Sequence, residues 1–171
     1  DLTALELAIE LGKPLELKAA GGWFGFLRQH DRLTADEVAV FDKASKLLLT
    51  IEHDHYTKSY KLVTLMAMQD LGGVSVSASL KGIAANAKWR IFSDPRLMAD
   101  IADANSAFHD KWNPTSTEWE DYWRKNPINA LIGGNKADAN AWFDLDGSSL
   151  RCKVDVVEDR KSTRLNSSHV A

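Results

Sequence analysis

Cysteine and proline are scarce in this chain of 171 residues, which contains one cysteine and four prolines. Disulfides and thiolate zinc sites each need several cysteines, so the single Cys152 excludes both within the chain. No apolar run approaches the roughly 18 residues that a membrane-spanning helix requires. We therefore expect a soluble protein of the reducing cytoplasm that has no membrane contact.

Motifs for nucleotide hydrolysis are also missing. The sequence has no glycine-rich phosphate loop followed by Lys-Ser or Lys-Thr, and no acidic metal box of the helicase type. Its glycine pairs, Gly21-Gly22 and Gly133-Gly134, are interpreted as turns. We therefore predict no catalytic residue, no metal and no bound cofactor in this chain.

Other chemically capable groups have simpler interpretations. His53 and His55 lack the third and fourth ligands that zinc usually takes, so a solvated loop is favoured over a metal site. A nuclease centre would combine carboxylates with a lysine near strands, but the residue two positions before Lys153 is Arg151 rather than an acid. We expect Cys152 to be packed in a core rather than to act as a nucleophile.

The last 13 residues, from Asp159 onward, resemble the translation of a common short-read sequencing adapter. With the missing initiator Met, this predicts a fragment cut at both ends. Without that tail the chain keeps 18 basic and 23 acidic residues, a net charge of −5. We predict a helical subdomain over residues 1–56, a helical core with a β-hairpin over residues 57–158, and a non-native tail over residues 159–171.

Charge is unevenly distributed along the chain. Residues 57–100 hold six basic and three acidic residues, whereas residues 1–56 and 101–158 each hold six basic and ten acidic residues. A basic section in an acidic chain is a candidate contact face for polyanions, and ordinary solvated helix surface is the alternative. The candidate phosphate-binding residues are Lys58, Lys61, Lys81, Lys88, Arg90, Arg96, Arg151 and Lys153.

Apolar periodicity predicts helices over most of the chain. The first helix has Leu2, Leu5 and Ile9 at helical spacing and ends near Gly12, and a capping box of Thr34 and Glu37 opens a longer helix. Residues 62–68 are apolar on nearly every side, which predicts a central buried helix, and residues 74–77 are expected to be extended. The clearest amphipathic stripe is Leu80, Ile83, Ala84, Ala87 and Ile91. The basic residues expected to face outward from it are Lys81, Lys88 and Arg90.

The C-terminal part changes period. Residues 117–120 resemble a capping box, and the helix that they open is expected to end at Pro127. A turn at Asp146-Gly147 then separates two short strands, the second of which alternates between apolar and charged residues. Its apolar members, expected to face the core, are Leu150, Cys152, Val154 and Val156. Four tryptophans could stack on bases but are expected in the core, namely Trp23, Trp119, Trp123 and Trp142.

These elements predict a mainly α fold of the α+β class, a helical domain with a C-terminal β-hairpin. Their order is a buried helix, an extended connection, an amphipathic helix, further helix and a hairpin. It is the order of a winged helix, in which the hairpin is the wing. A generic α+β domain, whose hairpin covers a helix end, is the alternative.

Two segments carry a resemblance to a known family. Residues 57–68 (TKSYKLVTLMAM) and 119–134 (WEDYWRKNPINALIGG) resemble the region after the motor domains in bacterial DEAD/DEAH-box helicases of superfamily two. The helicases concerned are those of restriction and phage-defence systems. Leu131 departs from the tryptophan that this family's pattern has there. The residues that match its motifs are Lys58, Ser59, Tyr60, Lys61, Asn126, Pro127 and Ile128.

The resemblance implies a parent protein that uses ATP and Mg²⁺ to move on DNA, with this chain as a non-catalytic accessory region. Under a first hypothesis the basic middle section binds DNA weakly and without sequence preference, since phosphate contacts position a protein but do not read bases. Under a second hypothesis the chain docks on the motor domains and contacts no nucleic acid. An exposed patch of Trp23, Phe24 and Phe26, or of Trp119 and Trp123, would favour docking.

Overall fold

The computed structural model describes residues 4–12, 16–53, 58–103, 106–109, 113–134 and 141–154. The chain divides into two compact units, Asp1–His55 and Tyr56–Ala171. It is mainly helical, with one small antiparallel sheet near the C-terminus, which confirms the predicted α+β class.

The first unit contains four helices within its described residues: α1 (Ala4–Leu11), α2 (Leu17–Ala20), α3 (Trp23–Gln29) and α4 (Ala35–His53). The predicted capping box opens α4, because Glu37 N–H donates to Thr34 Oγ1 at 3.3 Å and Thr34 N–H donates to Glu37 Oε2 at 2.8 Å. The apolar spacing in α1 did not identify its buried side. Leu7 is buried there, whereas Ile9 is 71% exposed.

A carboxylate from α4 holds the start of α3. Glu52 Oε2 accepts the Trp23 N–H at 2.6 Å, and its other oxygen lies 3.4 Å from the Phe24 nitrogen. An anion at a helix N-terminus is stabilised by the unpaired N–H groups and by the helix dipole. Gly22 is needed for this approach because its φ is 97° and a Cβ there would lie 2.3 Å from Glu52 Oε2.

The second unit contains the remaining described elements. Its helices are α5 (Tyr60–Asp70), α6 (Leu80–Ser93), α7 (Pro95–Ala102), α8 (Ser116–Trp123) and the short α9 (Asn129–Leu131). Its strands are β1 (Ala78–Ser79), β2 (Phe143–Asp146) and β3 (Ser149–Cys152), in the sheet order β1-β3-β2. All pairs are antiparallel, and Leu150 on the central strand faces Ala78 on one side and Leu145 on the other.

Helices α5 and α6 supply most of the core of this unit. The predicted stripe of α6 is confirmed, since Leu80, Ile83, Ala84, Ala87 and Ile91 are all buried. Helix α5 is central as predicted, but it is not buried on every side. Leu62 and Met66 face solvent, because they lie one turn apart on the side of α5 opposite the buried Thr64 and Met68.

An aromatic cluster joins α8 to α5 and α6. Trp119 and Trp123 are fully buried, and their rings stack with centroids 5.1 Å apart. Trp123 Nε1 donates to Thr64 Oγ1 at 3.0 Å, and that hydroxyl donates to the Tyr60 carbonyl at 2.8 Å. Trp119 Nε1 donates to the Ala84 carbonyl at 2.8 Å. Both indoles are thus buried with their N–H groups bonded, as buried polar groups require.

Two predictions about α8 were wrong. Its N-cap is Thr115 rather than Thr117, with a complete capping box between Thr115 and Glu118. Pro127 does not close the helical path, which continues through a π-helical turn, Arg124–Ile128, into α9. Proline has no N–H to donate into the helix, and the Asn126 amide donates instead to the Tyr122 carbonyl at 3.0 Å.

The hairpin has the predicted alternation. Leu150 and Cys152 are buried, Arg151 and Lys153 are exposed, and Val154 is half-buried, while Val156 lies outside the described residues. Burial raises the pKa of the Cys152 thiol, in keeping with a packed cysteine. The extended segment predicted at residues 74–77 was misplaced, because the strand that joins the sheet is Ala78–Ser79. The winged-helix interpretation stays a prediction.

Candidate nucleic-acid contact surface

The eight candidate phosphate-binding residues are spread over five parts of the second unit. Lys58 precedes α5, and Lys61 lies on α5. Helix α6 carries Lys81, Lys88 and Arg90, and α7 carries Arg96. Arg151 lies on β3, and Lys153 follows that strand. Strong phosphate binding needs cations whose charge is not already compensated, since each contact works by releasing counterions from the nucleic acid. The internal partners of each side chain therefore decide how much of this surface is available.

Lys58 and its neighbours bind the end of α7. Lys58 Nζ donates to the Asp100 carbonyl at 3.1 Å and lies 3.5 Å from the Asp103 carboxylate. The Ser59 N–H donates to Asp100 Oδ2 at 2.7 Å, and the Tyr60 hydroxyl donates to the Asp100 carbonyl at 3.0 Å. A lysine beside the last carbonyls of a helix satisfies unpaired acceptors and complements the dipole. Lys58, Ser59 and Tyr60 thus have a structural role.

Lys88 and Arg90 on α6 were predicted to face outward, but both are half-buried and both have hydrogen-bond partners. Lys88 Nζ donates to the Pro114 carbonyl at 2.6 Å. Arg90 donates to Asp70 Oδ2 from Nε at 2.9 Å and from Nη2 at 2.5 Å, which ties α6 to the end of α5. These hydrogen bonds to Arg90 lower the pKa of the Asp70 carboxyl. The charge of Arg90 is therefore compensated by Asp70.

Arg96 and Arg151 are each paired with a nearby aspartate. Arg96 Nη2 lies 2.8 Å from Asp94 Oδ2, and this pairing lowers the pKa of Asp94 to about 2. Arg151 makes a two-pronged pair with Asp144 on the neighbouring strand, with distances of 3.0 and 2.8 Å. The Arg96 side chain is still 90% exposed, so an approaching phosphate would compete with Asp94 for it.

Two of the candidate cations stay exposed and make no ion pair among the described residues, namely Lys81 and Lys153. Lys61 is half-buried and has an interaction of its own. The basic section of the sequence thus becomes a much weaker positive surface in the fold, because acids from other elements lie among its cations.

The sheet brings the start of α6 next to the hairpin. Ser79 is the register partner of Ser149, and the Leu80 N–H donates to the Ser148 carbonyl at 2.8 Å. Because β1 and β3 are antiparallel, Lys81 lies beyond the turn end of β3, whereas Lys153 follows the opposite end of that strand. Lys88 lies about 10 Å further along α6 at 1.5 Å per residue. The hairpin also carries Asp144 and Asp146.

The exposed residues of α6 form a second stripe that sequence reasoning missed. They are Lys81, Ala85, Trp89 and Ser93, spaced four residues apart, and we call them the α6 outer stripe. Trp89 is 66% exposed and lies roughly 180° around the helix from the centre of the buried stripe. The same periodicity that identified the buried stripe would have found Trp89 on its opposite side.

The tryptophans weighed for base stacking have different environments. Trp119 and Trp123 are buried and cannot reach a base, whereas Trp23 and Trp142 are half-buried. Of the side chains considered for a docking patch, Trp119, Trp123 and Phe26 are buried, whereas Trp23 and Phe24 are half-buried. Among the described residues no group of three or more His, Cys, Asp or Glu is arranged to hold a metal ion. His55 lies outside those residues.

A comparison with models of protein families, with curated proteins and with solved structures found no match to this chain. The resemblance of residues 57–68 and 119–134 to superfamily-two helicases therefore stays a prediction. Within the described part of the chain, no helix combines the length and the apolar character needed to cross a bilayer.

Proposed function

We propose that this chain is a non-catalytic accessory region of a bacterial, cytoplasmic DEAD/DEAH-box helicase of the restriction or phage-defence type, and that it contacts nucleic acid weakly. ATP and Mg²⁺ would belong to the motor domains of the parent protein. The observation that supports nucleic-acid contact best is the α6 outer stripe, which presents Lys81 and Trp89 and contains no carboxylate. Lys153, which follows the opposite end of β3, is a second exposed cation without an ion pair among the described residues.

Contact of this kind is weak and independent of sequence. Few exposed cations without an ion pair are available to it, and contacts to phosphate carry no base information. In a parent protein with motor domains, weak contact is sufficient, because tethering raises the effective concentration of the second binding site. An accessory region can thus guide a strand without holding it tightly.

Reversing the charge of Lys81 and Lys153 together, Lys81→Glu and Lys153→Glu, is expected to weaken oligonucleotide binding at low salt about tenfold or more. The matched control is Lys18→Glu with Lys46→Glu, which makes the same change in net charge on exposed lysines of the first unit. Binding is measured by fluorescence anisotropy with labelled single strands and duplexes.

The background for both variants is the full chain with Arg160, Lys161 and Arg164 replaced by glutamine, so that the C-terminal tail adds no positive charge. Equal weakening in the two double variants would mean that net charge alone controls binding. No binding of either nucleic acid at low salt would contradict the proposal.

A docking module remains the second candidate, and a different set of exposed side chains favours it. Leu62 and Met66 on α5, with Leu71 and Val76 after it, are exposed apolar residues of the second unit. Exposed apolar groups mark protein contacts when they are contiguous. Purified motor domains of the parent protein, added in trans, would bind the chain in this case, and Met66→Glu would abolish that binding.

A further inference from the structure

We propose that Trp89 is a base-stacking residue, and that the α6 outer stripe therefore takes single-stranded nucleic acid in preference to duplex. This inference rests on the proposed function and names the class of its ligand. Trp89 is the most exposed aromatic side chain of the described second unit, on a helix whose ionisable residues are all basic.

The exposure of the Trp89 ring needs an explanation, because burial of a tryptophan side chain usually stabilises a fold strongly. An indole buries one of the largest apolar surfaces of any side chain, and Trp119 and Trp123 in the same unit are fully buried. Trp89 contributes little to the core, since it lies on the opposite side of α6 from Ile83 and Ala87. Its solvent position is better explained by a ligand than by the fold.

The neighbours of Trp89 leave its ring accessible. A helical side chain leans toward the preceding turn, where the residues three and four positions before Trp89 are Asn86 and Ala85. Ala85 is too small to cover an indole face. Asn86 Oδ1 is already engaged, because it accepts a hydrogen bond from Arg90 Nε at 3.1 Å. A flat apolar ring with a small residue beside it suits a planar ligand.

Charge selects the ligand. Helix α6 contains Lys81, Lys88 and Arg90 and no acidic residue. Arg90 is paired with Asp70, so the positive charge of α6 that no ion pair among the described residues compensates belongs to Lys81 and Lys88. A ligand with both planar apolar faces and negative charge is therefore favoured over an uncharged or basic apolar partner. Single-stranded nucleic acid has this combination, because its bases are free to stack while its phosphates remain accessible.

In duplex nucleic acid the planar faces of the bases are not free for stacking. Its bases are stacked on one another, so an indole can reach a base face only by unstacking a step, which costs a few kcal/mol. The small number of exposed cations without an ion pair does not offset that cost. The chain should accordingly bind duplex only through phosphates, and more weakly than a single strand of equal length.

The test measures anisotropy of a labelled oligothymidine of about 15 nucleotides and of a duplex of equal length, with the full chain in the tail-neutralised form. Trp89→Ala is expected to weaken single-strand binding about five- to 150-fold, the range of ~1–3 kcal/mol for one stacked base. Trp89→Phe should retain much of that affinity. Duplex binding should change less than about twofold in both variants. The control is Met66→Ala, an exposed apolar residue on α5 that should alter neither.

Three outcomes would overturn the inference. An unchanged single-strand affinity in Trp89→Ala, with binding itself intact, would leave the proposed function and remove Trp89 from it. Equal loss for duplex and single strand would mean that Trp89 does not select unstacked bases. In the third outcome, the chain binds no oligonucleotide but self-associates, and Trp89→Ala abolishes that self-association. This result would assign Trp89 to a protein interface and would also contradict the proposed function.

Discussion

Replacing Trp123 by alanine is expected to lower the free energy of unfolding of the second unit by about 3–5 kcal/mol. Its indole is fully buried, stacks on Trp119 and donates to Thr64. Truncation leaves a cavity between α8 and α5 and deprives the Thr64 hydroxyl of its donor. Loss of this size is a large part of the 5–15 kcal/mol by which a domain is usually stable.

The matched control is the same substitution at Trp89, where the side chain is exposed. Trp89→Ala should change stability by less than about 0.5 kcal/mol, as is usual for surface substitutions. Urea unfolding followed by circular dichroism and by tryptophan fluorescence measures both. Equal losses in the two variants would contradict the assignment of Trp123 to the core and of Trp89 to the surface.

Leu150→Ala is expected to cost about 2–5 kcal/mol, because Leu150 is fully buried on the central strand of the sheet. This strand pairs on one side with β1, which leads directly into α6. The cavity should therefore loosen the attachment of Lys81 to the hairpin as well as the hairpin itself. Hydrogen exchange of the Leu80 amide, which bonds to the Ser148 carbonyl, reports this attachment.

Leu145→Ala provides the comparison for this prediction. Leu145 is the cross-strand partner of Leu150, but it is 36% exposed on the edge strand. Its truncation should cost less than about 1 kcal/mol, since fewer of its atoms leave water on folding. If Leu145→Ala destabilised the chain more than Leu150→Ala, the register of the hairpin would be wrong.

The parts of the fold that follow from local rules were predictable from the sequence. Five apolar residues at helical spacing were enough to identify the buried side of α6, and alternation was enough for β3. The cap of α8 was not, because Thr115 and Thr117 each have a glutamate three residues later. Local chemistry does not distinguish these two caps. The choice is made by packing, which buries Trp119 and Trp123 together.

The continuation past Pro127 shows a second limit of local rules. A proline usually ends a helix because its ring clashes with the preceding turn and its nitrogen has no hydrogen. Here a π-helical turn accommodates Pro127, and Asn126 bonds the Tyr122 carbonyl. Such a turn depends on the tertiary position of α9 and of the buried Ile128, which no local pattern encodes.

The candidate surface was the least predictable feature, because ion pairing is decided between elements. Arg90 and Asp70 are 20 residues apart in sequence, and Lys58 and Asp103 are 45 residues apart. Composition counts such residues as a net positive section, whereas the fold places several of these cations against an acidic partner. Charge patterning alone therefore overestimated the positive surface, and it gave no weight to Trp89.

The salt dependence of single-strand binding tests the central claim most directly, that few cations of this chain are available to phosphate. With two to four phosphates contacted, a plot of log K against log salt concentration should have a slope of about −1.4 to −2.8, at roughly −0.7 per phosphate. The tail-neutralised full chain is titrated at several salt concentrations. A slope near −5.6 would mean that all eight candidate cations contact phosphate, at about −0.7 each, and would contradict internal pairing. Absence of binding at the lowest salt would contradict nucleic-acid contact itself.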